Sequence, residues 1–205
     1  MGKRRLAIID YGIGNLGSVA NALYQIDVDH FIEGTPQKLA QYDGVILPGV
    51  GAFLTALEAL KTTGMSDALE VERSRGKPIL GICLGMQLMC RTSYEHGIHQ
   101  GLNWIDATVN LLSSESVKVP HMGWNNLTIV NEHPLLADLP DSPDLYFVHS
   151  YGVQCDDQAD VLATCTHGET FCAVLAKDNV QGVQFHPEKS QQLGLKILSN
   201  FVGAL

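Results

Sequence analysis

The stretch "KPILGICLGMQLM", residues 77–89, runs an apolar strand into a glycine-flanked cysteine and then, without a loop, into a helix-forming segment. A short apolar run that turns directly into a helix is the building unit of a parallel α/β sheet. The first half of the chain repeats it. Residues 6–10, 28–32, 44–47 and 78–82 read as strands, and residues 16–25, 52–61, 65–75 and 84–91 as helices. Such alternation predicts a parallel sheet covered on both faces. After Gly101 the character changes. Residues 104–112, 126–130, 144–150, 161–166, 171–176 and 180–185 read as strands with few helices between them, and a helix over 191–201 closes the chain. The expectation is one α/β domain over residues 1–205, mostly parallel first and mixed or antiparallel later.

Composition narrows the function classes. A hydrophobic fraction of 45% fills a core, and a charged fraction of 17% is too low for a disordered chain. A formal net charge of -9 argues against nucleic acid, which needs a basic face. The one basic run, Lys3-Arg4-Arg5, reads as a solvated N-terminus. Its apolar neighbour is too short for a signal peptide, and no run of about 18 apolar residues predicts a membrane span. The five cysteines form no C-x-x-C pair, which argues against a zinc knuckle or a thioredoxin-like site. An odd count without a secretory signal reads as free thiols in a reducing cytoplasm. Cys90, Cys155, Cys165 and Cys172 read as small buried hydrophobes. No carboxylate cluster or His-x-x-x-His pair suggests a metal, and no cofactor is expected.

Cys83 reads differently. Gly81-x-Cys83-x-Gly85 after a strand is the sequence form of a nucleophile elbow with Cys in place of Ser. The turn is tight, so a side chain at either glycine crowds the neighbouring strand or helix. The start of a helix favours thiolate, and the Leu84 N–H faces an oxyanion formed on a substrate. The competing reading is a buried Cys in a strand-to-helix turn, and a partner base decides between them. "GVQFHPEKS", residues 182–190, supplies that base: His186 closes a strand, Pro187 stiffens the turn, and Glu188 stands two residues on. Nucleophile, base and orienter form a triad, in preference to an incidental surface His. His30, His96, His99, His133 and His167 sit in polar or turn-like contexts and read as exposed.

These residues resemble the class I glutamine amidotransferases, and among them the glutaminase subunits of imidazole glycerol phosphate synthase in histidine biosynthesis. The likeness runs through "DYGIGNLGS", "LPGVGAF", "GICLGMQL", "VPHMGWN", "YFVHSY" and "AKDNVQGVQFHPEKS", in that order along the chain. It implies a flavodoxin-like fold in which Cys83 attacks the side-chain amide of glutamine, His186 is the base and Glu188 orients it. It also implies oxyanion donors at Leu84 and in the Val50-Gly51 loop, where a peptide flips to present its N–H. Gln87, Glu95, Ser150 and Tyr151 match glutamine-binding positions, although Glu95 lacks the adjacent acid common in the family. The ammonia goes to a (β/α)8-barrel cyclase, the partner in a heterodimer. The resemblance places Asn15 at that interface, and His121, Trp124, Tyr146 and Lys189 are expected there too, with Ser190 beside them. For Trp124 and Tyr146, core packing competes with that expectation.

Gly12-x-Gly14-x-x-Gly17 has the spacing of a dinucleotide fingerprint. A nicotinamide site wants an acid closing the second strand, and Asp29 falls inside that segment while Glu33 falls just after it. The glycines read better as turn residues at an interface. Two alternatives stay open: the glutaminase subunit of another class I amidotransferase, and a dinucleotide-binding protein.

Overall fold

A computed structural model describes residues 4–113 and 115–205. The first half builds β1 (Arg5–Ile9), α1 (Leu16–Gln25), β2 (Asp29–Glu33), β3 (Gly44–Gly49), α2 (Phe53–Thr62), α3 (Met65–Ser74), β4 (Ile79–Cys83) and α4 (Leu84–Met89). Four short strands follow or face them: β5 (Cys90–Ser93), β6 (His99–Gln100), β7 (Ile105–Leu111) and β8 (His121–Asn126). The second half continues with β9 (Thr128–Ile129), β10 (Asp144–His149), β11 (Tyr151–Cys155), β12 (Val161–His167), β13 (Glu169–Lys177), β14 (Val180–Val183) and α5 (Gln191–Gly203).

The main sheet runs in the order β2-β1-β3-β4-β14-β13-β11-β7-β5-β6. Its β2-β1-β3-β4-β14 part is parallel, as a flavodoxin-like sheet is, and β13, β11 and β7 continue it antiparallel. Alternation along β1 shows why both faces are covered. Ala7 and Ile9 join a core with Phe53, Leu57, Leu60 and Leu69 of α2 and α3. Leu6 and Ile8 join the opposite core with Val19 and Leu23 of α1 and Leu198 and Phe201 of α5. Each of the larger side chains, Leu, Ile, Val and Phe, contributes about 1.5–3 kcal/mol by leaving water. No helix among the described residues is long and apolar enough to cross a membrane.

Several elements differ from expectation for identifiable reasons. The helix expected over 84–91 stops at Met89, and Cys90 begins a strand. The chain returning from β6 takes the carbonyls of its last turn, with Leu102 N–H on Leu88 O at 2.8 Å and Trp104 N–H on Met89 O at 2.9 Å. The strand expected over 126–130 divides at buried Leu127: β8 pairs with β10 in a separate ribbon, whereas β9 pairs with β12. The strand expected over 144–150 ends in the ribbon, and the chain bends at Ser150 to enter the main sheet as β11. Lys3 lies outside the described residues. Arg5 is no free tail residue: its guanidinium carbon lies 4.9 Å from the Phe31 ring centroid and 5.4 Å from that of Tyr42. Of the five histidines expected at the surface, only His96 is exposed; the others are half-buried. All five cysteines are free thiols, and Cys155 is half-buried rather than buried.

Glu33, expected just beyond its strand, is the last residue of β2. Its carboxylate is spent inside the fold, accepting from the Tyr42 hydroxyl and the Thr35 N–H at 2.8 Å each.

Candidate active site

Three parallel neighbours end together. β3 finishes at Gly49, opposite Cys83 at the end of β4, and Val183 at the end of β14 pairs with Ile82. His186 follows three residues past β14. The carboxyl edge of adjacent strands therefore collects residues more than a hundred positions apart, as ligand sites in open α/β sheets do.

Cys83 stands at φ 54° and ψ -110°, a conformation that costs on the order of 1–3 kcal/mol for a residue with a side chain. The flanking glycines make the turn possible. A Cβ at Gly81 would lie 2.7 Å from Met86 N, and one at Gly85 would lie 1.8 Å from Leu47 O.

The His186 turn is braced from several sides. Its N–H donates to Tyr146 O at 2.9 Å, while the Ser190 hydroxyl donates to His186 O at 2.7 Å and accepts from Tyr146 N–H at 3.0 Å. Ser190 is thus buried, a correction to its expected place at the interface. His186 Nδ1 lies 2.8 Å from Glu188 Oε1, with the two side chains 3% and 2% exposed. A carboxylate only accepts, so Nδ1 carries the proton and Nε2 is left free. Nε2 is buried with no partner among the described residues. Burial pushes the imidazole down, but the Cys83 sulfur and the Glu188 carboxylate outweigh it and raise His186 to about 9. Glu188→Gln removes one of these two supports. The His186 midpoint then falls from about 9, as following its ring resonances by NMR against pH will show.

One cavity of about 470 Å³ opens over this edge. Cys83, His186, Leu84, Val50, Gly51, Gln87, Glu95, Ser150 and Tyr151 all line it with Lys189, so the expected catalytic, oxyanion and substrate residues share one space apart from Glu188, which does not line it. Gln87 is buried, with Nε2 donating to Tyr151 O at 2.9 Å. Glu95 has a second occupation: its Oε2 accepts from Phe53 N–H at 2.9 Å and caps the first turn of α2.

The expected interface residues separate. Along β8, Met122 and Trp124 point outward, 63% and 45% exposed. His121 points inward, because successive side chains of a strand alternate, and it is 3% exposed. His121 is therefore internal rather than a surface contact. Its Nδ1 lies 3.0 Å from His149 Nε2, and His149 Nδ1 lies 2.9 Å from Tyr151 O. Burial pushes both imidazoles down, His121 to about 4 and His149 to about 3. Trp124 and half-buried Tyr146 meet edge to face at 5.9 Å on the ribbon surface, and Lys189 Nζ lies 6.0 Å from the Tyr146 ring centroid. Asn15 is exposed and caps α1, its Oδ1 accepting from Ser18 N–H at 3.4 Å. Gly12 and Gly14 have φ of 84° and 129°, which only glycine adopts readily, so they shape the turn before α1.

Sequence reasoning overlooked Gln184. It stands just past β14, two residues before His186, and that closeness in the sequence was the available signal.

A cysteine on an elbow beside a histidine–glutamate pair, at the carboxyl edge of a flavodoxin-like sheet, defines a class of amide-splitting enzymes. Residues 7–204 match the family model "Glutamine amidotransferase class-I", and the chain belongs to that family. It is 48% identical over 200 residues to imidazole glycerol phosphate synthase subunit HisH of Sulfurimonas denitrificans, covering 96% of each chain. It is 44% identical to HisH of Methanosarcina barkeri over 97% of this chain and 98% of that one, which sets it among the HisH subunits. PurLQS from Thermotoga maritima shares the fold, with a TM-score of 0.77 at 20% identity and 99% coverage of both chains.

Proposed function

We propose that this chain is the glutaminase half of imidazole glycerol phosphate synthase, acting in histidine biosynthesis in the cytoplasm. The supporting observation is that Cys83 and His186 line one cavity, with Glu188 bonded to His186, in a chain 48% identical to a HisH subunit. Cys83 Sγ attacks the side-chain carbonyl carbon of L-glutamine, and its proton resides on His186 Nε2. The tetrahedral oxyanion is held by the Leu84 N–H and a second N–H from the Val50-Gly51 loop. Gly51, at φ 90°, gives that loop the freedom to turn a peptide over. His186 hands its proton to the departing ammonia, leaving a glutamyl thioester on Cys83. It then takes a proton from water, which hydrolyses the thioester to L-glutamate. Glu188 fixes the imidazole's orientation throughout. Gln87, Glu95, Ser150 and Tyr151 hold the substrate's α-amino and α-carboxyl ends.

The ammonia passes to a (β/α)8-barrel cyclase, which makes imidazole glycerol phosphate and aminoimidazole carboxamide ribotide. Exposed Asn15, Trp124 and Lys189, with Tyr146, form the docking face of the heterodimer. The ribbon carrying Trp124 and Tyr146 is bonded to the His186 turn, so a partner seated there bears directly on the base. The test is glutamate release measured alone and with the cyclase and its nucleotide substrate. Weak turnover alone and a rise of about a hundredfold or more in the complex is the expected result, of the size of a strong coupling between sites. Release indifferent to the cyclase would favour another class I amidotransferase.

A further inference from the structure

Gln184 is fully buried between the end of β14 and the His186 turn, and the triad does not account for it. Its N–H donates to Ala173 O at 2.9 Å, which prolongs the β14–β13 ladder and fixes where the side chain can go. A buried amide has an accepting and a donating end, and each needs a partner. Gln184 Oε1 accepts from Gln87 Nε2 at 3.0 Å, and Gln184 Nε2 lies 3.7 Å from Cys83 Sγ. This orientation is dictated from the far end. Gln87 Nε2 also donates to the Tyr151 carbonyl at 2.9 Å, and a carbonyl can only accept. Gln87 must therefore turn its NH₂ toward Tyr151 and Gln184. The end of Gln184 that receives it must be the oxygen, which leaves the other NH₂ against the sulfur.

We infer that Gln184 is a further donor to the nucleophile, favouring the charged sulfur over the neutral thiol, and that Gln87 holds it in that orientation from within the glutamine pocket. This rests on Cys83 being the nucleophile. The Val148 carbonyl faces the sulfur from the opposite chemical side, 3.9 Å away, and can only favour the thiol. Removing the Gln184 donor tips the balance toward that carbonyl. The titratable groups acting on the sulfur are His186, backed by Glu188, and Tyr11 from the loop after β1; His149, Glu95 and Lys189 share the cavity.

The test is the pH profile of Cys83 alkylation by iodoacetamide, read on the Cys83 peptide by mass spectrometry. Gln184→Met keeps the side chain's length and removes the donor. Its alkylation at pH 7 is expected to slow about tenfold, with the half-maximal rate moving to higher pH, because hydrogen bonds to charged groups are the stronger ones. Gln87→Met leaves Gln184 in place but unoriented, and its profile is expected to move the same way by about two- to fivefold. If both variants keep their melting temperatures and both profiles superimpose on the unsubstituted protein, the inference is overturned. If Gln184→Met does not fold, the Gln87→Met profile decides alone. Should Cys83→Ala still hydrolyse glutamine, the nucleophile assignment itself fails. An unmoved alkylation profile in a chain that needs Cys83 overturns only the role of Gln184.

Discussion

Glutamate release in the presence of the cyclase falls by roughly 10⁴-fold or more when Cys83 becomes alanine, since deleting a nucleophile from a triad removes the covalent route altogether. The fold is expected to persist. Cys83 is buried, but the hydrogen bonds of its sulfur are long, to Val148 O at 3.9 Å and from Gln184 Nε2 at 3.7 Å, and the His186 imidazole is a further polar neighbour. Alanine keeps the β-carbon that the elbow already accommodates at φ 54°. Glutamine binding is expected to persist as well, because the proposed contacts Gln87, Ser150 and Tyr151 are untouched. A coupled assay for glutamate, with calorimetry for bound glutamine, separates the two effects. Turnover surviving in Cys83→Ala would leave the cavity without the assigned chemistry.

The second large effect concerns the scaffold. Gly85→Ala puts a Cβ 1.8 Å from Leu47 O, a backbone atom of β3 that cannot swing aside as a side-chain tip would. Relief requires α4 to lift off the sheet, taking the Leu84 N–H and Gln87 with it. Overpacking of this kind costs about 3 kcal/mol or more, which lowers the melting temperature of a chain this size by roughly 6–12 °C. Gly17→Ala is the control. Nothing lies within 4 Å of a Cβ there, and the position is in the first turn of α1, so stability holds or rises. Equal melting temperatures for the two variants would refute the packing argument.

How much of this was legible beforehand depended on how local the cause was. Helix α1 appears at the residues its pattern indicated, because its apolar stripe is written within a few positions. The Cys83 elbow was legible for the same reason. What escaped was decided by distant partners. The early end of α4 is imposed by Leu102 and Trp104 claiming its last carbonyls, and nothing in residues 84–91 announces that. Motif reading grouped His121 with Trp124, yet strand alternation sends them to opposite faces once β8 pairs with β10. Gln184 looked like one more polar residue near a histidine. Its meaning appears only when Gln87 and Tyr151 arrive beside it from elsewhere in the chain.

The insertion of β14 next to β4 also fixes when chemistry becomes possible during synthesis. A chain translated only as far as Lys177 already carries its thiol at the end of β4, but His186 and Glu188 have not yet been added. The lane beside β4 stays open until residues 180–183 have been added. Under the proposed mechanism, a fragment that ends before His186 lacks its base and releases no ammonia from glutamine.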